Sequence, residues 1–434
     1  MPLTLRTSRR FAPGGPVRPA LALFAATLVG SAAAQSTLPP DCGLTGAQGQ
    51  ASILANDFVT TNVIADVLGE CRVPGLSIST NLNTEVRDIQ VAALKSDPAA
   101  YSGVITANGS VVPLLNENLV RPLDELIAAH GDALTERQQI TIDGQVMAIA
   151  FMANAQHLIY RQDMLDELGI EAPTTWDGLI EAAAELREQG VMRYPIAGTY
   201  KVGFNLALEF VNHYLALGGE LFEANTPEPA LVNDIGIAAL ERMKRVTELM
   251  APDFLTMDTK VVVSEMEQGR AAFANVWGSS AGSVIDERGS AANVIEHLRL
   301  AAAPLVGDPA RPAATLWWDG FTIAKNVSEA DAEATFRALV AATGVEVANA
   351  HGDAAVWLAD GYRATPTDAG VMATIEAGAA PYPILPWMSL MNGALGAELV
   401  EFFQGREDAR AALSDVEASY RTQAMSEGYL EAAR

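Results

Sequence analysis

The chain has 434 residues, half of them hydrophobic and 19% charged, with a net charge of −25. That is enough apolar material for one large domain or two, and it excludes a disordered chain. So strong an acidic excess also excludes nucleic acid and anionic membranes as partners, because both call for basic surfaces.

The first 34 residues read as an export signal. Arg6, Arg9, Arg10 and Arg18 form a positive region without acids, and "LALFAATLVGSAAA" follows as a short apolar run. Ala32, Ala33 and Ala34 before Gln35 suit a cleavage site, and the run is too short for a comfortable membrane span. The expectation is a periplasmic protein cleaved near Ala34. Without this segment 24 basic residues face 53 acidic ones, a net of −29. Cys42 and Cys71 are the only cysteines. In an exported chain such a pair reads as a disulfide, whose loop would contribute roughly 3–4 kcal/mol. Two buried thiols are the alternative. The spacing suggests neither a redox motif nor zinc.

Further on, "ASILAND" predicts a strand, and "TTNVIADVLGEC" a helix capped by Thr61 or Asn62. "GLSIST" alternates as a strand does. "TEVRDIQVAAL" has helical spacing with Thr84 as cap, and "YSGVITA" is a strand followed by an Asn108-Gly109 turn. The order βαβαβ predicts a parallel sheet flanked by helices, whose ligands bind beyond the carboxyl ends of the strands. "QVMAIAFMANAQHLIY" is extended. In "LIYRQDMLDELGIEAPTTWDGL", Gly169 takes the left-handed position after one helix, and Ile170 can fold back on Leu165. Pro173 forbids continuation, and Thr174 or Thr175 caps a second helix with Asp177 in its first turn. The result is a helix–loop–helix corner into which Trp176 packs.

After the corner, helices are expected over 204–217, over the segment opened by Asn233 or Asp234, and over "EADAEATFRALVAATG". "AAFANVW", "LRLAAAPLVG" and "WWDGFTIAKN" read as strands. From about residue 388 the chain reads as largely helical.

The motif Tyr-x-x-Asp-Met-Leu-x-x-Leu-Gly-Ile-x-x-Pro-x-Thr-Trp-Asp (160–177) resembles the joint of family 1 extracellular solute-binding proteins, the receptors of bacterial ABC sugar importers. "VRPLD", "IDGQVMAIAF", "LALGGELF", "MEQGRAAFANVWG", "APLVGD" and "DGFTIAKN" keep that family's order. The chain departs from the pattern at Gly178, where glutamate is usual, and in lacking a proline in "AIAF". The resemblance implies an α/β, two-lobed periplasmic binding protein fold of type II-like organisation. Each lobe has a central sheet flanked by helices, and about three crossings form a hinge. Crossings are expected near 150–154, 299–304 and 345–350. One lobe would comprise 35–151 plus 302–346, the other 152–301 plus 347–434.

Sugars present apolar C–H faces and a rim of hydroxyls, so a receptor needs flat aromatic rings and planar polar groups. Trp277 matches the family's stacking tryptophan, and Trp387 a second stacking position. Trp317, Trp318 and Asp319 lie at the interlobe end of a return strand. Neighbouring strand residues face opposite ways, so one of the two tryptophans belongs to the core; Trp357, in a helical context, reads as core too. Asn108, Glu209 and Arg363 complete the expected ligand set, with Asn56, Asp57, Asn154 and Asn212 as weaker candidates. The resemblance implies a small polar solute, a sugar or polyol, captured by a monomer. The solute would pass to the transmembrane subunits of an ABC permease with a separate ATPase. No cofactor, metal site or catalytic residue is expected. Two alternatives stay open. "GSSAG" (278–282) fits G-x-S-x-G, so a secreted serine hydrolase would use Ser280 with Asp308 or Asp319 and His351. A sensory binding module without transport would keep the same fold.

Overall fold

The computed structural model describes residues 38–285 and 289–431, so the expected export signal lies outside the described residues. The chain runs β1 (Gly49–Ala55), α1 (Val59–Glu70), β2 (Leu76–Leu82), α2 (Val86–Lys95), β3 (Gly103–Ala107), α3 (Asn108–Asn116), α4 (Asp124–His130), β4 (Gln139–Ile142) and β5 (Gln145–Asn154). It continues through β6 (Gln156–Arg161), α5 (Gln162–Leu168), α6 (Trp176–Glu188), β7 (Ile196–Gly198), α7 (Phe204–Ala216), α8 (Asp234–Thr247), α9 (Thr259–Glu267), β8 (Phe273–Trp277), α10 (Ala281–Val284), α11 (Ala292–Ile295) and β9 (Leu298–Ala301). The last third contains β10 (Leu305–Val306), β11 (Arg311–Pro312), β12 (Thr315–Ile323), α12 (Glu329–Ala342), α13 (Val345–Ala350), β13 (Val356–Trp357), α14 (Ala369–Glu376), β14 (Ala380–Pro381), α15 (Met388–Phe403) and α16 (Ala409–Ser426).

Two sheets organise these elements. The larger has the order β13-β5-β12-β3-β1-β2, with β4 on β5 and β14 on β12; the smaller is β7-β8-β6-β9. β1 pairs in parallel with β2 and β3, the outcome expected when helices connect successive strands. All five residues of β3 are buried, because both faces of the sheet are covered and no polar alternation is needed. The core around the larger sheet includes Phe151, Phe321 and Phe336, and Cys42 is joined to Cys71 at its edge. The core around the smaller sheet takes in α6, α7, α8, α15 and α16 through residues such as Leu186, Phe210, Met243, Leu399 and Tyr420. Ala155 alone separates β5 from β6, so the chain passes from one sheet to the other within a single residue.

The corner takes the form that its residues dictate. Gly169 adopts φ +66° after α5, and the Ile170 N–H donates to the Leu165 carbonyl at 2.9 Å. Thr175 Oγ1 accepts from the Gly178 N–H at 3.1 Å and caps α6. Trp176 is 2% exposed, its ring 5.1 Å from that of His213 on α7. Asp177 pairs with Arg245 at 2.8 Å and Arg242 at 3.4 Å, both on α8. The corner therefore ties α6 to α7 and α8.

Three local expectations change. Asn108-Gly109 does not turn the chain but opens α3, since Ser110 Oγ accepts from the Ala107 N–H at 2.9 Å and supports a helix start. α1 begins at Val59, before its expected cap: Thr61 reaches back to accept from the Phe58 N–H at 3.1 Å. Segment 345–350 is α13, whose Val347 and Ala348 belong to the larger sheet's core, and the chain stays with that sheet through Trp357, opposite Met152. Among the described residues no helix is long and apolar enough to cross a membrane.

Candidate functional site

Register brings one end of each sheet to the junction. Trp317 stands opposite Asn154 and Asp319 opposite Ala107, so the start of β12 shares an edge with the ends of β3 and β5. In the smaller sheet Gln156 stands opposite Trp277, and Gly198 opposite Asn275. Three of the expected site residues, Trp277, Trp317 and Asp319, thus come to the facing edges. Asn108 arrives there too, at the end of β3.

A buried polar network lies behind these edges. The Trp317 indole N–H donates to Thr315 Oγ1 at 2.9 Å, and that hydroxyl donates to Asn212 Oδ1 at 2.7 Å. The amides of Asn212 and Asn275 both donate to Gln156 Oε1, at 2.9 and 3.0 Å. The Gln156 amide donates in turn to Glu209 Oε1 at 2.7 Å and to Thr199 Oγ1 at 3.0 Å. Thr199 donates to the same Glu209 oxygen at 2.5 Å. Burial pushes the Glu209 carboxyl up to about 7, while the Thr199 and Gln156 hydrogen bonds oppose that rise. Glu209 is 2% exposed and fully engaged in this network, which joins α7 to both sheets. Nearby, Asn154 Nδ2 donates to Ser279 Oγ at 3.1 Å, a second link across the junction.

In front of the network is a pair of opposite character. The Arg87 guanidinium lies 3.8 Å above the ring of Phe204, joining α2 to α7. Arg87 itself is exposed to solvent. Asp319 is half-buried near Arg87; burial pushes its carboxyl up to about 7, and the Arg87 charge draws it back. Among the described residues neither side chain makes a hydrogen bond or an ion pair. Five donors of a planar fork and a carboxylate thus stand at the junction without hydrogen-bond partners among the described residues. Arg87 was not among the expected site residues. One signal marks it: it sits in the first turn of α2, where the helix dipole disfavours a cation.

The remaining aromatic and polar candidates separate. Trp317 is 5% exposed, with Tyr382, Trp277 and Phe204 around it at centroid distances of 4.0, 5.5 and 5.8 Å. Trp318 is half-buried, and among the described residues no other ring touches it. Trp387 packs instead with Phe222 and Tyr429, at 5.9 and 6.0 Å; the ring of its segment that reaches the junction is Tyr382. Asn108 donates to the Leu316 carbonyl at 3.3 Å, while its Oδ1 has no partner among the described residues. Arg363 is exposed beyond β13, where its backbone N–H donates to Asn349 Oδ1 at 2.9 Å. Asn56 is exposed at the end of β1, and Asp57 lies 3.9 Å from Lys260 of α9. Trp357 is 3% exposed in the core. Ser280 ends a 3-10 turn and, among the described residues, makes no hydrogen bond to a histidine. No group of three His, Cys, Asp or Glu side chains among the described residues gathers as a metal site would. Open grooves of about 360 Å³, near Tyr194 and Arg270, and about 480 Å³, near Cys71 and Arg72, lie away from the Arg87–Asp319 pair.

Two sheets meeting at a single-residue passage, with unpaired polar groups at the facing edges, define a two-lobed solute-binding fold. Residues 79–346 match the bacterial extracellular solute-binding protein family, and the chain belongs to that family. Among solved structures it is similar to an ABC transporter solute-binding protein from Agrobacterium radiobacter K84 in complex with ribitol. That match has 19% identity and a TM-score of 0.74, covering 88% of this chain and 99% of the other. A protein from Agrobacterium vitis S4 with bound D-mannitol matches at 18% identity and a TM-score of 0.72, covering 88% and 100% of the two chains. Maltose-bound MalE3 of T. maritima matches at 16% identity and a TM-score of 0.71, covering 86% and 99%. The fold therefore carries both single polyols and oligosaccharides in other proteins.

Proposed function

We propose that this protein is the periplasmic substrate receptor of an ABC importer, capturing a sugar or polyol between its lobes and presenting it to a membrane permease. The observation that carries the reading is the unpaired Arg87–Asp319 pair at the facing edges. A neutral polyhydroxyl compound both donates and accepts, so it satisfies a guanidinium and a carboxylate together. Burying either group without a partner is unfavourable, and this makes the pair selective for such a solute. Trp277 and Trp318 supply apolar ring surface beside it. In this reading one lobe is built on the larger sheet and the other on the smaller, with crossings at Ala155, between β9 and β12, and after Trp357. The lobes close because the ligand contacts both; a ligand with equal affinity for open and closed forms shifts nothing. The receptor performs no chemistry, works as a monomer, and relies on a separate ATPase for energy.

The test is a thermal-shift screen with ribitol, D-mannitol, D-glucose, maltose and related solutes, followed by calorimetry. A binding solute raises the melting temperature of the wild type. Asp319→Ala and Arg87→Ala abolish that rise. A solute that stabilises wild type and both variants equally contradicts the proposed site.

A further inference from the structure

We propose that Trp317 is the specificity-determining residue that limits the solute to a single sugar or polyol unit. This rests on reading the junction as a carbohydrate site. Trp317 belongs to β12 of the larger sheet, yet its indole sits among Trp277, which ends β8 of the smaller sheet, Phe204 of α7, and Tyr382. Its ring is perpendicular to those of Trp277 and Phe204, at 87° and 89°, and tilted by 36° on Tyr382 at 4.0 Å. Flat aromatic walls are what a pyranose ring stacks on, and here the protein's own indole fills the space between them. The aromatic surface that would hold the next unit of an oligosaccharide is therefore taken.

The indole is a fixed wall. Its N–H is held by Thr315, which is tied through Asn212 to Gln156. On the α3 side there is no space behind it: a Cβ built on Gly109 would lie 3.0 Å from two atoms of the indole ring. At this close approach glycine is what allows the ring to press against the start of α3. Swinging the indole away would break three aromatic contacts and leave the buried Thr315 hydroxyl with one bond fewer. The Arg87–Asp319 pair is not among the rings of the box; Arg87 stacks on Phe204 from α2, and in this proposal the single unit sits beside the pair.

The experiment uses the mature chain and titrates D-glucose, maltose and maltotriose, one to three units of the same sugar, beside ribitol and D-mannitol. Wild type and Trp317→Ala are compared by calorimetry, with Trp317→Phe as a milder variant should the alanine form fold poorly. The proposal expects wild type to bind single units only. It expects the ratio of two-unit to one-unit affinity to rise at least ~10-fold in Trp317→Ala. Wild type binding maltotriose as tightly as any single unit overturns it, as does a ratio unmoved in both variants. If no sugar or polyol stabilises either form, the carbohydrate reading fails separately, and a ligand-independent arm decides the box itself. Indole added to Trp317→Ala raises its melting temperature if the vacated box still accepts a flat ring; no rise overturns the proposal.

Discussion

Glu209 and Asp319 are both acids at the junction of the two sheets, and burial pushes both up to about 7. Their surroundings differ. Glu209 accepts hydrogen bonds from Thr199 and Gln156, and every link of its chain leads to another buried polar group. Asp319 has Arg87 near it and makes no hydrogen bond among the described residues. A satisfied buried acid organises a structure; in the proposed site, an acid without a hydrogen bond beside a guanidinium without one would receive the solute. Two carboxylates at one junction, one on α7 and one on β12, thus differ chiefly in the number of their hydrogen-bond partners.

That contrast can be broken experimentally. The largest effect is expected from Asp319→Ala, which should weaken solute binding by about 100-fold or more, the scale of deleting a charged hydrogen-bond partner. The melting temperature should stay level or rise, because no protein hydrogen bond is lost and a desolvated carboxylate is removed. Glu209→Ala should do the reverse on stability. Thr199 and Gln156 would be orphaned, and unfolding in urea should show a loss of about 2–4 kcal/mol. A stability loss in Asp319→Ala matching that of Glu209→Ala would erase the distinction.

The pH dependence sharpens it. Glu209 has an ordinary value of 4.5, raised in the fold to about 7. The folded protein therefore holds a proton that the unfolded chain has released, and stability falls as pH rises across that window. His157 is fully buried and held down to about 4 from 6.5 by burial, so its contribution falls instead as pH drops through that window. Asp319, raised from 3.8 to about 7, contributes a slope of the same sign as Glu209, so Glu209→Gln should remove only the Glu209 share. The variant should lose up to about 3 kcal/mol less than wild type between pH 4.5 and 8. Denaturant midpoints across pH check this. Trp277→Ala should weaken binding by at least ~1 kcal/mol, read by calorimetry. The smallest effect is expected from Lys260→Ala, which removes the exposed pair with Asp57 and should alter stability by less than ~0.5 kcal/mol, vanishing in high salt.

Much of the fold is legible in local chemistry. The corner at Gly169–Trp176 is written in residues with strong backbone preferences, and the structure realises its caps as expected. The Asn108-Gly109 start of α3 was not legible, because the same dipeptide serves turns and helix starts, and Ser110 decides between them. The candidate site divides similarly. Trp277 ends β8, and Trp317 and Asp319 lie in the first part of β12, a strand that its pattern makes readable. Arg87 and Phe204 meet only through tertiary packing of α2 against α7, which no spacing along the chain records. Trp387 and Tyr382 share one short segment, and which of them reaches the junction depends on how β14 pairs with β12.

The most direct measurement is a crystal structure with whichever solute raises the melting temperature. Solute hydroxyls should lie within hydrogen-bond distance of both Arg87 and Asp319, with Glu209 still bonded to Thr199 and Gln156. A solute bound elsewhere, with Arg87 and Asp319 facing only water, would contradict the proposed site.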